Sequence, residues 1–351
     1  MHYKGMFIVA LALLSGTVAV CPKGFETAAE ARVALVSDSE VYVAFGNRSD
    51  VFVSRSIDGG KSYLAPVKVA SLDTLMLGMR RGPRIAISGR TIVVTAIGKV
   101  HPTTSDELLA FRSTDKGVTW SGPSTINDAP GSAREGLDDL ASGGGRFVCA
   151  WLDDRSPGKR LVSSESTDGV HWSKNQMIYA SPSGSICECC HPTVVVNDSG
   201  VASYLFRNKL VDGRDMYVAR VGRPPVELGS DHWKIDGCPM DGGDSALLTT
   251  GKTFSIYRRE DRVFGSYEGV PENLVGIGQQ PVVVAGKSNL WFAMLRSRGG
   301  SLIFGSIGGQ SNQTISQSAD DPDLAVSPAG QKRMVLVWTE KDQGIKSLTI
   351  N

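Results

Sequence analysis

Ser113-Thr114-Asp115-Lys116-Gly117-Val118-Thr119-Trp120 decides the reading of this chain, because the stretch recurs. Ser56-Ile57-Asp58-Gly59-Gly60-Lys61-Ser62-Tyr63 is an earlier copy. Ser166-Thr167-Asp168-Gly169-Val170-His171-Trp172 is a later copy, one residue shorter. The shared pattern is Ser-x-Asp-x-Gly-x-x-aromatic. An Asp carboxylate accepts backbone N–H groups across a tight turn, and Gly supplies the positive φ that the turn needs. The aromatic ring then packs on neighbouring sheet. A turn unit recurring at roughly 50 residues predicts a propeller or an array, with one supersecondary unit per repeat.

Outward from these turns, short apolar segments bounded by Gly, Asp and Asn clusters read as strands. Seven of them open a unit: residues 32–36, 84–87, 137–141, 193–196, 245–248, 281–284 and 324–326. The last unit stops after its third strand, residues 346–350. The segment after the leader is expected to supply its missing outer strand and close the ring. The expectation is an all-β, seven-bladed propeller, with six blades as the alternative. The turns resemble Asp-boxes, the repeat motif of sialidase-like β-propellers. Sialidases themselves have six blades, so seven is a count from this sequence.

The chain has 351 residues, 40 of them Gly, with 21% charged residues and a net charge of +1. That balance gives no electrostatic case for nucleic acid or an anionic membrane. Residues 1–29 read as a secretory leader, with Lys4 as its basic start and residues 7–14 as its apolar run. Cleavage is placed near Ala19 or in the 28–31 region, leaving 30–351 as one propeller domain. Cys21 raises the alternative of a lipid-anchored protein, although Val20 fits that processing signal poorly. No later segment is long and apolar enough to span a bilayer. The expected product is exported, periplasmic or extracellular, and monomeric.

Propeller geometry sends the Asp-box turns to one face. The loops entering each innermost strand gather on the other, with those joining second to third strands. Two adjacent entering loops carry Cys187-Glu188-Cys189-Cys190-His191 and Cys238-Pro239-Met240. Three readings of this cluster stay open. Paired cysteines would staple the loops in an exported protein. Cys187, Cys189, Cys190, His191, Cys238 and Met240 would also make a soft-ligand set, suited to copper(I) first and zinc second. A labile disulfide doing redox work is the third. Arg134, Glu135, Asp138, Arg207, Asn208 and Arg214 are expected to form a polar rim for an anionic, glycan or other small-molecule ligand.

The segments 183–192, 206–208, 213–217 and 233–243 resemble a bacterial group of exported sialidase-like proteins that carry Cys-x-Cys-Cys-His and Cys-Pro-Met-Asp-Gly-Gly motifs. That resemblance implies no reaction. Sialidases hold a substrate carboxylate with three arginines, use a Tyr nucleophile activated by Glu, and protonate with Asp. Arg134, Glu135, Asp138, Arg207, Arg214 and Tyr257 are the candidates here for such catalytic roles. The family's Arg-Ile-Pro signature is absent, since Arg84-Ile85 is followed by Ala86 and comes after a box. The favoured reading is a soft-metal propeller. The alternatives are a sialidase-type hydrolase or carbohydrate-binding propeller with disulfide staples, and a non-catalytic protein-interaction module.

Overall fold

The computed structural model describes residues 16–309, 311–328 and 333–351, and among these there is no helix. Lys4 and the apolar run of the leader lie outside the described residues. The strands form seven antiparallel four-stranded blades. Their innermost strands are Ala29–Leu35, Arg84–Ser88, Asp138–Gly143, Thr193–Val196, Gly243–Leu247, Gln279–Ala285 and the second half of Gln313–Val326. Each contacts the next, and the seventh returns to the first, so the ring is closed. Gln313–Val326 is long because its first half is the outer strand of blade six. The sialidase-like propeller expected from the turn repeat is the fold observed.

Val18–Ala19 pairs antiparallel with Lys346 and Ser347 and completes the seventh blade. The N–H of Val20 donates to Ile345 O, its side chain is buried, and Phe25 packs edge-on against Phe45 and Phe52. Residues 18–28, inside the range read as leader, are thus part of the ring's closure. Cys21 is itself packed against the apolar layer between blades one and seven.

Alternation along each strand sends apolar side chains to both faces of a blade, so every blade presents an apolar face to both neighbours. Seven apolar layers result, one per blade interface. Val43 and Phe45 of blade one meet Val335 and Val337 of blade seven in one such layer. Burying a side chain of this size contributes roughly 1.5–3 kcal/mol.

All three Asp-boxes join third and fourth strands. In the second, Asp115 Oδ1 accepts the N–H groups of Val118 and Thr119 at 3.1 and 2.9 Å, and Ser113 Oγ accepts that of Gly117 at 2.9 Å. The Thr119 hydroxyl and N–H, with Ser113, hold the Asp115 carboxyl down to about 2. Gly117 sits at φ 80°, a conformation that a side chain would strain. In the shortened third box the His171 ring nitrogen, 2.7 Å from Asp168 Oδ2, replaces the hydroxyl. Trp120 is only partly buried, in the layer between blades one and two. Trp120→Ala is therefore expected to destabilise by about 2–3 kcal/mol, less than a sealed ring would cost. Urea unfolding checks this. A loss within error of zero would remove the box ring from the packing account.

Candidate functional site

On the face opposite the boxes, three inner strands open with a bulge at a non-glycine residue of positive φ. These are Glu30 (57°), Gln280 (49°) and Asp321 (49°). Such a bulge re-aims a side chain at a cost of order 1–3 kcal/mol. Here it feeds a chain of buried polar contacts around the axis. Glu30 Oε1 accepts the Arg80 N–H at 2.9 Å, and Arg80 Nη1 donates to Pro322 O at 3.0 Å. The side-chain amide of Gln280 bonds Asp321, and the backbone N–H of Gln280 donates to Asp241 Oδ2 at 2.8 Å. His191 accepts the Gly242 N–H on Nδ1 and reaches Gly243 O with Nε2. None of Glu30, Arg80, His191, Asp241, Gln280 and Asp321 is more than 9% exposed.

Beneath this ring a central cavity of ≈ 410 Å³ is lined by Arg32, Arg84, Asp139, Asp244 and Asp323, among others. Each of these three aspartates accepts the N–H of the next blade's inner strand, Val194, Val283 and Val33, at 2.8 Å. Burial pushes Glu30 up to about 8, with the Asp321 charge adding to it. Burial likewise raises Asp244 to about 7 and Asp139 to about 6. Burial, then the charges of Arg80, Arg84 and Arg32, holds the His191 imidazole well below its ordinary value.

The thiols form a second centre. A turn at Glu188-Cys189 folds Cys187 back onto Cys190, with the two sulfurs 3.3 Å apart and Cys187 to Cys189 at 3.7 Å. All three sulfurs lie within 4.8 Å of one another. Cys187 and Cys190 are buried, and Cys189 is partly exposed. The loop is fixed by Ile186, buried between blades three and four, and by the Cys187 N–H donating to Arg207 O at 3.0 Å. Arg214 Nη1 stands 3.3 Å from Cys187 Sγ. Sulfur–sulfur hydrogen bonding with Cys189 and Cys190 holds the Cys187 thiol far below its usual range, while burial raises Cys190.

The six expected ligands therefore divide. Cys187, Cys189 and Cys190 are brought together. His191 is the next residue, but its ring is spent on Gly242 and Gly243 of the neighbouring entering loop. A side chain at Gly242 would collide with that ring. Cys238 is exposed and outside the sulfur group, and Met240 is half-buried, its carbonyl bonded to Arg298.

The expected rim also divides. Arg207 and Arg214 lie beside the thiols, Arg207 donating to Asp241 O, Arg214 O and Arg258 O with Trp233 against its face. Asn208 is buried and bonds Tyr179. Arg134 pairs with Asp154, and Lys159 bridges Glu135 and Asp154. Asp138 is sealed, with one oxygen on Thr95 and the other unpartnered. Tyr257 does donate to a Glu, Glu272 Oε2 at 2.6 Å, but the phenol is 2% exposed. The axial residues Glu30, Arg80, Gln280 and Asp321 escaped the sequence reading. Gln280 and Asp321 carried a signal, the proline that follows each at the start of the innermost pairing, Gln280-Pro281 and Asp321-Pro322, whereas Glu30 and Arg80 are followed by Ala31 and Arg81 and carried none.

No family profile matches the sequence, and no curated protein matches it. Similar solved structures exist. An α-L-arabinanase of Penicillium chrysogenum, complexed with arabinobiose, superposes with a TM-score of 0.55 at 14% identity, over 97% of this chain and 98% of the other. Virginiamycin B lyase of Staphylococcus aureus does so at 0.59 and 10%, over 97% and 100%. A Hadza microbial sialidase, Hz136, matches at 0.54 and 14%, over 92% of this chain and 65% of that one. The fold is a β-propeller. At these identities the likeness extends to architecture alone, and the propeller's chemistry rests on its own residues.

Proposed function

We propose that this chain is an exported propeller that holds a soft metal ion, copper first and zinc second. Its ligands are Cys187, Cys189 and Cys190, on the face of the entering loops. The sulfur spacing carries the reading. Three sulfurs around one ion at bonds of about 2.3 Å stand a little under 4 Å apart. The three here are already gathered at 3.3 and 3.7 Å, with an arginine beside them. Thiolates select copper(I) and zinc over harder ions. A leader would be cut before Val18, because Val18–Ala19 is the outer strand of blade seven. Lipidation at Cys21 would remove that strand.

A second reading is glycan binding or hydrolysis at the axial ring. It is favoured by the mixed acids and arginines that line the cavity beneath the ring, Arg32, Arg84, Asp139, Asp244 and Asp323, where burial raises Asp244 to about 7, into the range of a general acid. The arabinanase and sialidase among the similar structures add to it. The two readings part cleanly in one experiment. Purified protein and its Cys238→Ser and His191→Ala variants are assayed for bound metal and for sugar release from arabinan and sialoside panels. The metal reading expects near-stoichiometric copper or zinc in all three and no sugar release. Turnover without metal would hand the function to the axial acids.

A further inference from the structure

Resting on the metal reading above, we infer that the thiol site is built for a monovalent ion, copper(I), and that Arg214 selects it over zinc. Coordination number is the first argument. Protein-bound zinc takes four ligands, or three with a water in the fourth place. Among the described residues the sulfur group has no histidine or carboxylate within its reach. Beside Cys187 stands a cation in place of a further ligand: Arg214 Nη1 lies 3.3 Å from the sulfur. Glu188, the carboxylate of the same turn, is engaged by Lys209 at 3.0 Å and by Arg214 at 3.6 Å. Copper(I) is satisfied by three thiolates alone.

Charge is the second argument. Three thiolates bring three negative charges. Glu188 and Lys209 cancel one another. Arg214 and Arg207 remain, and Arg207 is buried with its guanidinium on backbone carbonyls and no ion pair among the described residues. A monovalent ion brings this set to neutrality, whereas a divalent ion leaves a surplus positive charge beside two buried sulfurs. Uncompensated buried charge is costly. Copper(II) prefers square arrangements of nitrogen and oxygen, which three sulfurs do not offer. The site would therefore hold copper reduced, for storage or transfer, and exchange it through Cys189, the partly exposed member of the group.

The test is an oxygen-free titration of the reduced full chain with copper(I) against a chromogenic cuprous chelator. A parallel titration uses zinc chloride against a zinc-binding dye. X-ray absorption counts the sulfur neighbours. The expected result is one copper(I) held by three sulfurs, and weaker zinc. Arg214→Gln should loosen copper(I) by about 10–100-fold, as loss of a supporting partner does, without loosening zinc. Arg214→Lys should restore most of the affinity. The backbone bonds of Arg214, to Trp233 O and from Arg207, survive either change. A thermal melt confirms that the fold is kept. Zinc held as tightly as copper(I), or a copper-to-zinc ratio unmoved by Arg214→Gln, overturns the inference and leaves the metal reading standing. Failure of both ions to bind overturns the metal reading itself.

Discussion

Cys187→Ser is expected to abolish metal retention while leaving the propeller folded. Cys187 is the hub of the sulfur group: it lies 3.3 Å from Cys190, 3.7 Å from Cys189 and 3.3 Å from the Arg214 guanidinium. Exchanging sulfur for a hydroxyl removes one of three soft ligands, and the remaining two cannot complete a trigonal site. Affinity should fall by at least about a hundred-fold, since a thiolate carries a large share of a metal site's binding free energy. The hydroxyl nearly matches the thiol in shape, so stability should move by only about 1 kcal/mol. Metal content after gel filtration, beside a urea melt, reads both quantities. Unchanged metal content would remove the turn at 187–190 from the site.

The second large effect is expected from pH. Glu30 binds its proton up to about 8 in the folded chain but only to its ordinary 4.5 when unfolded. Between those values the folded state holds a proton that the unfolded state has released, so raising the pH costs stability. The slope is about 1.4 kcal/mol per pH unit for each such group. Asp244 adds to it up to about 7. Below 6.5 the neutral, buried His191 pulls the other way, because its depressed value favours the unfolded state as pH falls. That opposes Asp139, raised to about 6. The clean window is pH 6.5 to 8, over which the propeller should lose about 2–3 kcal/mol. At the acid end Asp58 and Asp115, both held to about 2, contribute stability that disappears as pH falls through that value. Glu30→Gln keeps the shape and removes the titration. Its urea midpoint should decline much less than the parent's over the neutral window, with the remaining fall, due to Asp244, confined to the acid side of about pH 7. A parent midpoint that rises from 6.5 to 8 would refute the buried-acid account.

The blades were legible because they are written locally. An Asp-box needs only residues within one turn, and an apolar strand between polar clusters shows in a short window, so seven openings gave seven blades. The last unit's missing outer strand was expected from the segment after the leader, but the strand that closes the ring, Val18–Ala19, falls inside the range 1–29 read as leader, because a short strand beside an apolar run carries no local mark of its own. The axial ring was not legible, because Glu30, Gln280 and Asp321 reach the axis through bulges at positive φ that favour glycine in a sequence reading. Nor was the division of the ligand set. His191 parts from Cys190 because Gly242 and Gly243 take its ring. Cys238 is set apart by the course of its loop, anchored where Trp233 lies against Arg207 and Arg258 with its N–H on Asp215. Both depend on tertiary anchors distant in sequence. Spacing alone presents six ligands as one cluster, and packing divides them.

The most direct measurement of the central claim is elemental analysis combined with a thiol titration, on protein isolated from an oxidising compartment without added reductant. The account predicts close to one equivalent of copper or zinc per chain, with Cys187, Cys189 and Cys190 unreactive until a chelator removes the ion and reactive afterwards. Metal at background, with Cys187 and Cys190 already joined in a disulfide, would contradict it.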